Sequence, residues 1–248
     1  STAMNLPAEI FKAYDIRGIV GKSLTADVVR RIGHALGSLA LEQGQAAIAV
    51  GRDGRLSGPE LAGALIDGIC AAGCDAIDVG RVPTPVTYFA AYELGCNSCV
   101  SVTGSHNPPD YNGLKMVIGG TTLALDAIQD LKQRIEADNL NHGKGERRSA
   151  DVKSAYVEKI VSDVKLARPL KIVMDCGNGV AGAVAPELFK RLGCEIIPLY
   201  CEVDGNFPNH HPDPSKPENL ADVSKALKDT DAEIGIAFDG DGDRLGVV

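Results

Sequence analysis

"AAIAVGRDGRLSGPELAGALIDGICAAGCDAIDVG", residues 46 to 80, decides the fold class. "AAIAVG" (46 to 51) is an apolar run of strand length. Ser57 and Pro59 then open a stretch in which Leu61, Leu65 and Ile69 recur every four residues, the period of a helix with one buried face. Gly73 closes it, and "DAIDVG" (75 to 80) is strand-like again. Strand, helix, strand in so short a span is the unit from which parallel sheets are built.

The pattern continues on both sides. Upstream, Val28, Ile32, Leu36 and Leu39 mark a helix from Thr25 to Glu42, with Thr25 placed as its cap and Gly44 just past its end. Downstream, Thr84 and Pro85 read as cap and first residue of a third helix, and "NSCVSV" (97 to 102) as a strand. "LKMVI" (114 to 118) adds a strand, and Ile128, Leu131 and Ile135 a helix. The polar, glycine-bearing "NLNHGKGERRSAD" (139 to 151) reads as a linker, which sets a first domain at 1–150 and a second at 151–248. Past a helix ending near Val164 the pattern restarts. "KIVMD" (171 to 175), a glycine loop, a helix to Leu192, "EIIPLY" (195 to 200), a helix around 219 to 228 and "EIGIAFD" (233 to 239) follow in order. The expected fold class is α/β: two consecutive domains of mixed, largely parallel sheet flanked by helices.

Composition narrows the function. The 248 residues are 44% hydrophobic and 23% charged, as in ordinary globular domains. A net charge of -8 points away from a nucleic-acid partner, although a few local cations and backbone N–H groups suffice to hold a phosphorylated small molecule. No apolar run approaches the roughly 20 residues that span a bilayer, and no signal pattern opens the chain, so no membrane partner and a cytoplasmic location are expected. "STA" before Met4 reads as a cloning remnant. The seven cysteines are Cys70, Cys74, Cys96, Cys99, Cys176, Cys194 and Cys201, an odd and scattered set that argues against a disulfide framework. "CNSC" (96 to 99) has zinc or redox spacing but no second pair of ligands, and reads as plain thiols.

Two loops carry candidate chemistry. In "AFDGDGDRLGVV" (237 to 248), Asp239, Asp241 and Asp243 follow an apolar strand, and extended neighbours two apart would stand about 6.6 Å from each other. One Mg²⁺ holds oxygens at about 2.1 Å, so the backbone must curl, and Gly240 and Gly242 are expected to permit positive φ. An EF-hand is excluded, because Arg244 stands where that loop needs glycine. The second loop, "SVTGSHNPPDYNGLK" (101 to 115), presents Ser105 at a strand's C-terminal end, where open α/β sheets bind ligands. It lacks the G-x-S-x-G of a hydrolase elbow, and His106, adjacent in sequence, makes no triad. Two readings stay open from the residues alone. The loop is a polar turn whose Ser105 and Asn107 cap a helix, or Ser105 carries a phosphate whose oxygen completes the metal's coordination, with Lys115 and Arg244 as counter-charges.

In order along the chain, "AYDIRG" (13 to 18), "GRDGRLSG" (51 to 58), "TGSHNP" (103 to 108), "DCGNGVAG" (175 to 182), "FPNHHPDP" (207 to 214) and "DGDGDR" (239 to 244) resemble the motifs of the α-D-phosphohexomutase family. The resemblance implies a phosphosugar mutase that interconverts hexose 1-phosphate and 6-phosphate. Phospho-Ser105 donates its phosphoryl group, a hexose 1,6-bisphosphate turns over in the site, and the other phosphoryl group returns. Mg²⁺ would be held by Asp239, Asp241, Asp243 and Ser105. Lys115 and His106 would stand beside the serine, with Lys115 as general acid/base. Arg244 and Arg17 would pair with the phosphoryl group, and Tyr14 would lie near the substrate. The expected assembly is a monomer. Gly104 before the serine is closer to the mannose and glucose enzymes than to the glucosamine ones. The family's sugar-recognition and final phosphate-binding domains have no counterpart here, and Val247 and Val248 break off an apolar run, so the expectation is a two-domain fragment inactive as a mutase.

Asp239 could be an aspartyl nucleophile of a phosphatase or phosphotransferase, or the chain could be a non-catalytic phosphosugar or metal-binding module. "DCGNGVAG" lacks the Walker and dinucleotide patterns and reads as a tight turn. His210 and His211, flanked by prolines, read as structural hydrogen-bonders, and "RDGR" (52 to 55) as an internal ion-pair corner.

Overall fold

The computed structural model describes residues 6–248; "STA", read above as a cloning remnant, lies outside the described residues. In chain order the elements are β1 (Ile16–Ile19), α1 (Ala26–Glu42), β2 (Ala47–Arg52), α2 (Gly58–Ala71), β3 (Asp75–Arg81), α3 (Thr84–Glu93), β4 (Cys99–Val102), β5 (Tyr111–Ile118), β6 (Thr121–Thr122), α4 (Asp126–Glu136) and β7 (Arg147–Ser149). These are followed by α5 (Lys153–Asp163), β8 (Lys171–Asp175), α6 (Ala185–Arg191), β9 (Glu195–Leu199), α7 (Ala221–Asp229), β10 (Ile234–Phe238) and β11 (Leu245–Val247). The expected α/β class holds, with mixed sheets flanked by helices. None of the described helices is long and apolar enough to cross a membrane.

The first sheet runs β1-β5-β4-β2-β3-β7, with β6 on the side of β5. β4, β2, β3 and β7 are parallel neighbours, as the strand-helix-strand reading requires, whereas β5 is antiparallel to both β1 and β4. Because side chains alternate along a strand, the two faces of this sheet bury different sets. Ile48, Val50, Val100, Val102, Leu114 and Met116 meet α1, α2 and α4 through Val29, Ile32, Leu36, Leu65 and Ile128. Each such fully buried side chain contributes about 1.5–3 kcal/mol relative to exposure. Ala47, Ala49, Ile77 and Cys99 face the other way, against Val86 of α3, Val157 of α5 and Leu188 of α6. The second sheet, β11-β10-β8-β9, has its own core of Ile172, Met174, Ile236 and Phe238. Helix α6 joins the two regions, since Leu188 lies in one core and Ala185 in the other.

The caps came out unevenly. Thr25 Oγ1 accepts from the N–H of Val28 at 3.2 Å, as read. Ser57 precedes α2 but makes no capping bond; its hydroxyl accepts from Asn112 Nδ2 at 2.9 Å. Thr84 is the first residue of α3 rather than its cap, and its hydroxyl is committed elsewhere. Within 139–151, read as a linker, Arg147–Ser149 pairs in parallel with β3 as an edge strand. Arg147 meets Asp78 and Arg148 meets Asp75, both at 3.2 Å.

Candidate active site

Ser105 sits where β4 hands the chain toward β5, and the loop is tied before it reaches the hydroxyl. Ser105 itself is in the left-handed region (φ 52), a conformation few L residues adopt without support. Its N–H donates to Thr103 Oγ1 at 2.8 Å, and the Thr103 hydroxyl donates to Asp53 Oδ2 at 2.7 Å. Below the loop lies Arg55, whose side chain is fully buried. Its Nη1 donates to the carbonyls of Pro108 and Tyr111, and its Nη2 to those of Ser105 (3.1 Å) and Asn107 (2.7 Å). Asp53 stands 3.3 Å from Arg55 Nε. Gly104 is required by this packing, since a Cβ there would fall 2.3 Å from the Arg55 guanidinium carbon. "RDGR" is therefore the ion-pair corner expected, and also the clamp of the serine loop.

The acidic loop arrives from the second sheet, between β10 and β11. Asp239 Oδ1 accepts from the N–H groups of Asp243 and Arg244, both at 3.0 Å, which curls the backbone as the aspartate spacing demands. Of the two glycines expected at positive φ, Gly242 takes it (φ 70) and Gly240 does not. Gly240 serves close approach instead: a Cβ there would lie 2.3 Å from the Ser105 carbonyl oxygen. The two loops thus touch backbone to backbone. Thr84 fixes the other side, its N–H donating to the Asp241 carbonyl at 2.9 Å and its hydroxyl to Asp241 Oδ2 at 2.7 Å.

These contacts bring Ser105 Oγ to 3.4 Å from both Asp239 Oδ2 and Asp241 Oδ1, and to 3.3 Å from His106 Nδ1. Lys115 lies opposite Ser101 in the β4–β5 register, on the sheet face that carries α3. From there Nζ donates to Asp241 Oδ2 at 2.9 Å and to Asp243 Oδ2 at 3.4 Å. The serine, His106, Lys115 and the three aspartates are therefore one cluster, though Asp243 faces Lys115 rather than the serine. Arg244 is exposed and lines a 160 Å³ cleft with His106, Asp213 and Asp239. Arg17 and Tyr14 do not reach the hydroxyl. Arg17 stands 3.4 Å from Asp15 and lines a separate cavity of 430 Å³ with Lys12 and Asn107, and Tyr14 is 72% exposed. A larger cavity of 550 Å³, lined by Leu39, Ile118 and Leu131, holds none of these groups.

The charges in the cluster constrain one another. Burial, with the charge of Asp241 added, pushes the Asp239 carboxyl up to about 7. Burial works against Asp241 too, but the Lys115 ammonium together with hydrogen bonds from Lys115, Thr84 and Asp239 outweighs it and holds that carboxyl below its usual range. Burial likewise opposes the Lys115 charge, and Asp241 and Asp243 more than offset it, so the ammonium is held above its ordinary pKa. His106 is lowered, first by burial and then by the cations Arg244 and Arg17 against the pull of Asp213.

His210 and His211, between β9 and α7, hold loops, as expected from their flanking prolines. His211 Nε2 meets the carbonyl of His106, and His210 Nε2 bonds Asp175 Oδ2 at 2.7 Å. That bond, opposed by burial, raises His210 above its ordinary 6.5. A raised folded-state pKa contributes stability that is complete below the unfolded value and is lost as pH rises through the folded one. Urea unfolding midpoints are therefore expected to fall from about pH 6 to about pH 8 by more in the unaltered chain than in His210→Gln. Equal falls would remove the ion pair from the account.

Comparison with known proteins agrees with the geometry. Residues 8–142 match the family model for phosphoglucomutase/phosphomannomutase α/β/α domain I, and residues 154–248 that for domain II. The chain belongs to the phosphoglucomutase/phosphomannomutase family. It is 58% identical over 246 residues to the phosphomannomutase/phosphoglucomutase of Pseudomonas aeruginosa, covering 99% of this chain and 53% of that protein. It is 56% identical to a phosphoglucomutase of Neisseria gonorrhoeae, covering 98% and 54%. A phosphoglucomutase/phosphomannomutase family protein of Burkholderia thailandensis, solved by X-ray crystallography, superposes with a TM-score of 0.95 at 60% identity, over 98% of this chain and 55% of that one. The chain spans about half the length of the relatives it matches.

Proposed function

We propose that this chain is the phosphoserine-bearing and metal-binding half of an enzyme that interconverts hexose 1-phosphate and hexose 6-phosphate of the mannose and glucose type. The observation that carries the reading is Ser105 Oγ at 3.4 Å from each of two buried carboxylates, Asp239 and Asp241, which come from the other sheet. A capping serine has no use for such neighbours. Two carboxylates forced together in a buried site repel, and a hydroxyl that carries a phosphate beside a bound cation explains why they are kept.

In this reading the P–O bond to Ser105 breaks as a hydroxyl oxygen of the bound sugar monophosphate takes the phosphoryl group, and the hydroxyl proton passes to a base. The 1,6-bisphosphate turns over, its other phosphoryl group returns to Ser105 Oγ, and the proton goes back to the departing sugar oxygen. Lys115 is assigned as the acid/base group. It stands one carboxylate away from the serine, since Asp241 bonds Nζ through one oxygen and faces Oγ with the other. His106 sits at the hydroxyl, Arg244 and Arg17 supply cations for the phosphate oxygens, and Tyr14 lies on the substrate side.

Magnesium fits the donor set at Ser105, where Oγ, Asp239 Oδ2 and Asp241 Oδ1 are all hard oxygens, and a cation there would offset the burial and the Asp241 charge that push the Asp239 carboxyl up to about 7. Among the described residues no three carboxylate, imidazole or thiol side chains already converge as a metal site. Asp243 would join as fourth ligand on leaving Lys115. Bound there, the ion would neutralise charge on the transferring phosphoryl group.

We assign 1–150 as the phosphoserine domain and 151–248 as the metal-loop domain of a cytoplasmic, monomeric enzyme. The sugar-reading and last phosphate-binding parts belong to the half of the family's length not spanned here, and the 248-residue chain alone is expected to show no mutase turnover with hexose 1-phosphate. Normal turnover would refute the fragment reading. The phosphoserine is tested by intact mass before and after phosphatase treatment, with peptide mapping. An acid-stable phosphate on Ser105 is expected, and an acyl phosphate on Asp239 would replace this mechanism with an aspartyl phosphotransferase.

A further inference from the structure

Away from the serine cluster, two thiols face each other at the ends of neighbouring strands. Cys176 follows β8 and Cys201 comes two residues after β9, strands that pair in parallel with Asp175 opposite Leu199. Between β9 and Cys201 stands Tyr200, in the left-handed region (φ 53). The Cys176 N–H donates to the Leu199 carbonyl at 3.1 Å, and the two sulfurs lie 3.2 Å apart. Both cysteines are free. Neither Cys96 nor Cys99, spaced like a redox pair in sequence, has a sulfur partner; their thiols are buried, and Cys96 bonds backbone carbonyls.

We propose that Cys176 and Cys201 are a modification site, closing to a reversible intramolecular disulfide under mild oxidation by a hydroperoxide. A disulfide needs the sulfurs at about 2.05 Å, so the closure required is about 1.2 Å. Paired parallel strands already hold the backbones, and a side-chain adjustment supplies the rest. The partners are also unequal. Cys176 is fully buried and Cys201 partly exposed. The bond between their sulfurs raises the Cys176 thiol, with burial adding to it, and lowers that of Cys201. Cys201 is accordingly the sulfur that ionises and meets the oxidant first. Its thiolate takes one oxygen from the hydroperoxide, whose O–O bond breaks to release water or an alcohol. The sulfur of Cys176 then attacks the sulfenic acid, the S–O bond breaks, and the oxygen leaves as water with the Cys176 proton. Two thiol hydrogens are lost, the peroxide is reduced, and one S–S bond forms.

The site bears on the acidic loop through a short path. Cys176 opens the turn of Gly177 and Asn178, and two residues later the Val180 N–H donates to the Gly240 carbonyl at 3.2 Å. The proposal rests on the two thiols and not on the serine cluster, so it stands or falls separately from the mutase reading.

The test uses the 248-residue chain and hydrogen peroxide, quenched with catalase, alkylated, and mapped by tryptic digestion without reduction. The expected product has lost two hydrogens in intact mass, and fragment ions place one cross-link between Cys176 and Cys201 that dithiothreitol removes. Cys194→Ser, which alters the other cysteine on the same peptide as Cys201, is expected to keep the link, and Cys201→Ser to abolish it. Sulfinic acid on Cys201 with Cys176 still alkylatable would overturn the proposal. So would a link involving any other cysteine, or unmodified Cys176 and Cys201 once Cys70 has reacted. The unaltered chain alone decides among these outcomes, whether or not the variants fold.

Discussion

Ser105→Ala, placed in a chain that carries the rest of the family's length, is expected to lower mutase kcat by at least about a thousandfold, about 4 kcal/mol of barrier. The reason is chemical rather than structural. The loop is held by the Ser105 N–H, its carbonyl and the carbonyls that follow, none of which the substitution removes, whereas Oγ is the only atom deleted. The hydroxyl's neighbours stand 3.3 to 3.4 Å away, too far for strong bonds, so its loss leaves no tightly satisfied partner orphaned. Thermal stability is expected to change little, because Ala meets the same left-handed φ that Ser already adopts. The measurement is steady-state turnover beside a melting curve and a Mg²⁺ titration. Lost turnover with Mg²⁺ binding retained excludes a purely binding module. Retained turnover would mean that another residue carries the phosphoryl group and would remove the mechanism proposed here.

The parts of this fold legible in sequence are those whose signal is local. The strand-helix-strand run through residues 46 to 80 announced β2, α2 and β3 because one strong hydrophobic period follows another. β1 and β7 carry no such signal. "IRGI" has an arginine and a glycine in four residues and becomes a strand by pairing with β5. "RRS" is exposed at every position and becomes one by pairing with β3. The chemistry divided in the same way. Three aspartates in five residues imply a curled loop wherever they occur, and a glycine-led serine at a strand end implies a presented hydroxyl. That the two meet is a fact of tertiary structure; the residues left it as one of two open readings, and the resemblance to a family favoured it. Thr84 shows the limit most plainly. Before Pro85 it has every mark of a helix cap, yet its hydroxyl bonds an aspartate 157 residues away, which no local rule could show. Tyr14 and Arg17 came from the resemblance alone, and the structure places Arg17 beside Asp15 and leaves Tyr14 exposed, neither at the serine hydroxyl.

Arg55 is where the largest effect on stability is expected. "RDGR" read as an ion-pair corner, and the pair exists, but the guanidinium also donates to four carbonyls of one loop, those of Ser105, Asn107, Pro108 and Tyr111. Arg55→Leu deletes all of these bonds and leaves Asp53 buried beside an apolar side chain. Burial already pushes Asp53 up, and Arg55 is the main charge that opposes it. Breaking a buried ion pair by removing one partner costs about 3–5 kcal/mol, and each orphaned buried acceptor adds about 1–3 kcal/mol unless water reaches it. Loss of at least about 4 kcal/mol is therefore expected, a large part of the 5–15 kcal/mol that holds a typical domain together. Arg55→Lys tests the geometry separately from the charge. It keeps a cation for Asp53, but one ammonium cannot reach four carbonyls as a planar fork does, so it should recover part of the stability and little of the loop's order. Chemical denaturation of both variants beside Asp53→Asn, with amide exchange read at residues 103 to 111, separates the two contributions. If Arg55→Lys protects those amides as well as arginine does, the fork is not what fixes the serine, and the Thr103–Asp53 tie must suffice on its own.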